Sequence, residues 1–443
     1  MTVVGLLAVT SLPQPEPTRP ESLAAAVPAL VARTVAIDDP GALLSLLPEN
    51  IGPDRVSSWV RRGEGLVGWG RALEFRASGP GRFAEAQTWW QSVVDHAVVR
   101  DDLHLPGTGP VAFGSFSYSA DSPAGAALVV PEVLVGQRGS RWWLTSIRVG
   151  SHLPGTLTPS AALPPASPQG VTFADGALSG AQWSAVVARV VARISAGEMD
   201  KVVLARDLAV NARSAIDPRW LLQRLAECYD NTWVFAVDGL VGATPEMLVK
   251  LEKGLVTSRV LAGTIRRTGD DEHDLALAAS LARSSKDLEE HEYAVRSVAE
   301  ALAPHCSSIN VPESPFVLHL SNVMHLATDV AGVLTDQATS LALAASLHPS
   351  AAVCGTPTLI ADAAIRQLEQ MDRGRYAGPV GWMDAAGDGE WGIALRCGAI
   401  DAADPSRMRL FAGCGIVAGS DPDSELAESD AKFLPMRDAL NAF

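Results

Sequence analysis

Ser284-Ser-Lys-Asp-Leu-Glu-Glu-His291 concentrates charge inside a longer stretch, Leu275–Leu302, that otherwise reads as a packed helix. Leu281, Leu288, Val295 and Leu302 recur seven apart, which is an apolar seam close to helical period. Glu290 is off that seam. At roughly 100° per residue it lies about 200° round from Leu288, on a face shared with Ala279, Ala294, Ser297 and Ala301. Small residues around a carboxylate let a backbone or a ligand come close, whereas an ordinary solvated face carries long Lys, Gln and Arg side chains. An acidic outer helix face is the alternative reading. What the rest of the chain sets opposite Glu290 decides between them.

Working outward, composition sets the bounds. The chain has 443 residues, 47% hydrophobic and 19% charged, with a formal charge of −15. It is long enough for one large core or for two to three ordinary domains. The negative balance argues against a nucleic-acid or anionic-membrane partner, since counterion release needs clustered Lys and Arg. An anionic ligand must then be caught locally, by a cation or a metal. Cys228, Cys306, Cys354, Cys397 and Cys414 are scattered, odd in number and without a C-x-x-C pair, so neither a zinc cage nor a disulfide framework is indicated. A reducing cytoplasm and no membrane span are expected. Met1–Thr10 is apolar without a basic leader region and reads as a first strand.

Glu21–Ala32 reads as a short helix, followed by strand-like runs at Gly65–Ala77, Pro110–Tyr118, Ala126–Val135 and Arg141–Val149, the last two as a hairpin. Phe83–Leu103 has helical spacing. Ser151–Gly170, rich in Pro, Ser and Ala, is a boundary or a long surface connection. Beyond it, Gln182–Ser195 is an amphipathic helix leading into the strand Lys201–Arg206. Alternating β runs follow the helix Pro218–Tyr229, and the C-terminal third is β-rich. A last helix begins after Asp421, with Asp423 or Ser424 as its cap.

Several residues in this part can carry chemistry. Glu425 and Glu428 stand at i and i+3, with Lys432 four beyond Glu428, all on one helix face. Acids near a helix start are favoured by the dipole in any case. The functional alternative is that one of these carboxylates and Glu290 hold a Mg²⁺, since an open site of two or three glutamates without His or Cys matches its chemistry. Lys201, at the mouth of an apolar run, is either a strand-end charge or, if burial and nearby cations lower its pKa, a base. Glu246 in Ala243-Thr-Pro-Glu246 is an exposed turn acid or, inside a pocket, a proton donor. Arg396 lies among apolar strand residues, costly unless paired, and a ligand carboxylate would satisfy its fork.

Ten stretches in order resemble the chorismate-utilising enzymes, the family of isochorismate, salicylate, anthranilate and aminodeoxychorismate synthases. They are Lys201–Arg206, Thr244-Pro-Glu246, Leu261-Ala-Gly-Thr264, Lys286–His291, His325-Leu-Ala-Thr328, Leu347-His-Pro349, Gly378–Trp382, Arg396-Cys397, Phe411–Val417 and Glu425–Lys432. The resemblance covers Gln182 to the C-terminus and is loose before Gly170. It implies an α/β fold of α+β type, one large domain over residues 1–443 with a β-sandwich core wrapped by helices, residues 1–170 forming the variable part and 171–443 the motif-bearing part. It implies that Glu290 and Glu428 ligate Mg²⁺, with Glu425 nearby through water. It further implies that Gly263, Thr264, Ala352, Tyr376, Arg396, Gly413 and Lys432 hold the carboxylates of chorismate, with His348 close to the ring.

Two positions bear on the reaction. Ammonia-using members resemble one another in having Gln at Lys201, and aminodeoxychorismate synthases tend to carry a nucleophilic Lys at Ala262. Lys201 with Ala262 therefore looks like water chemistry, with Lys201 as base and Glu246 as acid, giving isochorismate for menaquinone or siderophore biosynthesis. Salicylate synthase is the alternative, although Ala352-Val353 keeps the apolar character of isochorismate synthases. A non-catalytic chorismate-binding relative would leave Lys201, Glu246 and Arg396 unexplained. A monomer is expected.

Overall fold

A computed structural model describes residues 29–155, 157–320 and 323–441, apart from the side chains of Lys286 and Glu290. The expected strand at Met1–Thr10 lies outside these residues. Among them are a 13-stranded and a 10-stranded sheet. One core takes Leu204 and Phe235 from the larger sheet and Phe113 and Val249 from the smaller. A second core lies between the larger sheet and the helices Pro218–Cys228 and Pro422–Leu440, through Leu221, Leu225, Phe433 and Met436. The mixed α/β architecture expected from the sequence is what is found.

The chain steps twice between the two sheets at one place. Leu240–Thr244 belongs to the larger sheet and, after only Pro245-Glu246, Met247–Glu252 belongs to the smaller. In the opposite direction Gly389–Ile393 leaves the smaller sheet and Cys397–Ile400 enters the larger after Ala394–Arg396. The four strands are neighbours in pairs, so the two steps lie side by side. Their backbones are tied by Ile393 N donating to Glu246 O (3.1 Å) and Ala243 N donating to Arg396 O (3.2 Å). Thr244 Oγ1 closes the join on Ile393 O at 2.6 Å. Glu246 is therefore buried rather than an exposed turn acid. Arg396 sits between strands rather than inside one, with φ at +47°.

Some boundaries differ from the sequence reading. The Leu275–Leu302 segment is two helices, Asp271–Leu281 and Ser285–Leu302, because Ser284 caps the second by accepting from Asp287 N. The apolar spacing continues across that break, which hides it. Gly65–Ala77 is split into Glu64–Trp69 and Leu73–Ala77, which lie in different sheets. Phe83–Leu103 is a helix only over Arg82–Asp95 and then a strand, Val98–Asp101. The end of the expected helix Glu21–Ala32 falls in the strand Leu30–Ile37. The hairpin partner of Arg141–Val149 is Val133–Arg138, while Ala126–Val130 joins the other sheet. Ser151–Gly170 is a surface connection, held by Ala162 N on Ser45 O (2.8 Å) and by Arg219 Nη1 on Leu163 O (3.3 Å). The last helix is capped by Asp421, whose carboxylate accepts from Ser424 N.

Candidate active site

The two steps between sheets form one wall of a cavity of about 240 Å³. The residues around it include Lys201, Glu246, Ala262, Gly263, Thr264, Ala352, Tyr376, Arg396, Gly413, Glu425, Glu428 and Lys432. Residues up to 231 apart in sequence thus meet, and the strand pairing shows how. Lys201–Asn211 runs antiparallel to Arg407–Ile416, placing Ala205 opposite Gly413. A Cβ on Gly413 would come within 2.8 Å of Leu204 O and 3.2 Å of the Tyr376 hydroxyl, so only glycine leaves this wall open. Leu255–Arg266 pairs with Val323–Leu334, and the register slips at Gly263, a bulge with φ at +75° that favours glycine.

Glu246 is held at the cavity by its buried backbone, and burial pushes its carboxyl up to about 7 despite the opposing pull of Lys201, Arg396 and Lys432. A carboxyl near neutrality can be protonated at working pH and still release its proton. Burial pulls the Arg396 guanidinium down, and it has no hydrogen-bond or ion-pair partner among the described residues. Lys432 donates to Gly413 O (2.9 Å) and pairs with Glu428 (2.7 Å). Burial alone would raise the Glu428 carboxyl, but Lys432 and Arg396 bring it below its ordinary value. Arg206 anchors the same helix through Ser429 Oγ (2.8 Å) and Asp430.

Glu425, Glu428 and Cys414 bring one ligand atom each within 4.8 Å of one another. The two carboxylates suit a hard divalent cation. Cys414 does not, because burial pushes its thiol up to about 12 and it stays protonated. Ser420 Oγ donates to Glu425 at 2.7 Å and fixes that carboxylate. The helix Ser285–Leu302 carries Glu290, whose side chain lies outside the described residues, and it borders the same cavity through Asp287. The small residue at Gly263 brings Asp287 to the wall, where a Cβ on Gly263 would lie 3.2 Å from the Asp287 Cβ.

His348 is the expected site residue found elsewhere. Its Nε2 meets Tyr118 O at 2.9 Å, its ring lies edge-on to Tyr118, and burial pushes it down to about 4. Another histidine lines the cavity instead. His325 Nδ1 is 2.9 Å from Thr264 Oγ1, and burial, then Arg396 and Lys432, hold its imidazole neutral by pushing it down to about 3. The stretch His325-Leu-Ala-Thr328 was its only sequence signal.

The fold, the ordered motifs and this cavity define a chorismate-binding enzyme, and the chain belongs to that family. The sequence profile described as chorismate binding enzyme matches residues 27–441. An isochorismate synthase of Bacillus subtilis, DhbC, is 42% identical over 262 residues, covering 56% of this chain and 65% of that relative. The salicylate biosynthesis isochorismate synthase of Pseudomonas aeruginosa is 33% identical over 410 residues, covering 87% and 84%. The crystal structure of DhbC from Bacillus anthracis superposes with a TM-score of 0.72 at 32% identity, covering 90% of this chain and 99% of that one. Among the described residues no helix is long and apolar enough to cross a membrane.

Proposed function

We propose that the chain is an isochorismate synthase, an isomerase that converts chorismate to isochorismate with Mg²⁺. The observation that carries this reading is that Lys201 and Glu246 line one cavity in which Ala262 offers no nucleophile. In the proposed reaction Lys201 takes a proton from a water that attacks C2 of the ring. The two ring double bonds each move by one position, the C4–O bond breaks, and Glu246 gives its proton to the departing hydroxyl, which leaves as water. Bond types are nearly conserved, so the step is reversible. Arg396, Lys432 and the open backbone at Gly263 and Gly413 hold the carboxylates, and Tyr376 and Ala352 shape the wall. The names of the relatives support the same activity.

Glu290 and Glu428 would hold Mg²⁺, with Glu425 beside them. Bound there, the ion supplies positive charge to the C1 carboxylate as charge spreads over the ring. Glu428→Gln is expected to abolish the rise in melting temperature that Mg²⁺ gives the wild type in the presence of chorismate, while leaving the unliganded fold intact. An unchanged Mg²⁺-dependent rise would remove Glu428 from the ligand set.

Incubating the pure protein with chorismate and Mg²⁺ tests the reading. Isochorismate as the product supports it. Fluorescent salicylate with pyruvate would replace it by salicylate synthase, and anthranilate on addition of ammonium would overturn both.

A further inference from the structure

The edge of the strand that begins at Lys201 is closed by a different device at each point. Residues Lys201 and Val202 pair with Gly355 and Thr356, and Leu208–Asn211 pair with Thr172–Asp175. Between these short partners Val203–Ala205 meets no strand on this edge among the described residues, its other edge being paired with Gly413–Gly415. Val203 N donates to Cys354 O at 2.8 Å, Ala205 O accepts from Trp183 Nε1 at 3.2 Å, and Val203 O and Ala205 N go to a buried ion pair. Glu369 Oε1 accepts from Ala205 N at 2.7 Å, while Arg373 Nη2 donates to Val203 O at 2.7 Å. Glu369 and Arg373 are 2% and 3% exposed and bond each other at 2.5 and 2.9 Å.

Arg373 also reaches away from the strand. Its Nη1 donates to Val353 O at 2.9 Å, in the loop that carries Ala352, and its own carbonyl accepts from Tyr376 N at 3.1 Å. The guanidinium lies 4.3 Å over the Tyr118 ring, and Tyr118 O is the acceptor of His348. One ion pair therefore joins the segments bearing Lys201, Ala352 and Tyr376, three parts of the cavity wall. Apolar residues of the same volume would spare the pair its desolvation but would leave Ala205 N, Val203 O and Val353 O buried without these partners. What they would not do is hold three backbone segments by directed bonds.

We infer that the Glu369–Arg373 pair is a positioning device that fixes the base-bearing strand against the substrate-binding loop and the Tyr376 turn. Its catalytic consequence rests on the function proposed above; its mechanical one does not. The test combines hydrogen exchange with kinetics on the full chain in Glu369→Gln and in the apolar double variant Glu369→Leu/Arg373→Met. In both, amides of residues 201–206 and 350–355 are expected to exchange at least ~10-fold faster together, while Trp233–Val237 is unchanged. On the kinetic side kcat is expected to fall ~10²-fold, the effect of about 1 Å of misplacement. The double variant is expected to melt below the wild type, since three buried backbone groups lose their partners. Leu222→Ala, in the other core, is expected to lower the melting temperature and leave kcat unchanged.

Unaltered exchange in either segment overturns the proposal, as does wild-type kcat in a variant whose two segments have loosened. If the double variant does not fold, Glu369→Gln decides by the same two readouts. Should the wild type make no isochorismate, the proposed function fails, and the exchange result still decides whether the pair positions the wall.

Discussion

Glu246→Gln is expected to slow isochorismate formation by about 10²–10⁴-fold, and Lys201→Ala by a similar factor, measured as initial rates at saturating Mg²⁺. The glutamine keeps the size of Glu246 and its place at the step between sheets but has no proton to give. The two losses are not expected to multiply in the double variant, because acid and base act in one displacement. Turnover within ~10-fold of wild type in either single variant would remove that residue from its role.

The same substitution carries a stability signature of opposite sense. The folded-state pKa of Glu246 is raised from 4.5 to about 7 by burial, so its stabilising contribution is complete below about pH 4.5 and is lost as pH rises through about 7. Glu246→Gln removes that loss. Relative to wild type, the variant is expected to gain stability between pH 5 and pH 8, by at most about 3 kcal/mol. Melting temperatures at the two pH values check this, and an equal difference at both would show that the charged carboxylate is well accommodated.

Arg396→Met is the second large effect. The guanidinium has no partner among the described residues and is partly withdrawn from water, so in the proposed function the ligand supplies its acceptor. Removing it is expected to leave the melting temperature of the free protein equal or higher. The KM for chorismate is expected to rise by roughly 10- to 150-fold, the equivalent of about 1.5–3 kcal/mol for a charge-assisted hydrogen bond. At a chorismate concentration near the wild-type KM the ligand would then raise the melting temperature of the variant far less than that of the wild type. A large fall in stability with an unchanged KM would make Arg396 a structural residue instead.

Much of this was legible from local pattern. The helix at Gly180–Ser195 announces itself through Trp183, Val186, Val187, Val190 and Ile194, all of which are buried. Lys201 and Arg396 stand out because each sets a charge against an apolar run, Lys432 because it shares a helix face with Glu428, and Thr264 through the family resemblance, and the fold brings all four to one cavity. The break at Ser284 was illegible, since a seven-residue repeat can continue through a capped interruption. His348 misled because a motif fixes position along the chain but not the direction of a ring, and this ring turns to Tyr118. Glu369 and Arg373 look like any helix-end i, i+4 pair, and only the strand edge beside them gives the pair its partners.

Glu246 and Arg396 occupy two adjacent points where the chain passes from one layer to the other. A slip of one sheet over its neighbour would therefore pull the acid and the cation apart before it disrupted either sheet. On heating or in mild denaturant, turnover should be lost ahead of far-ultraviolet circular dichroism. Enzymatic rate in this protein thus serves as a gauge of the alignment between its layers.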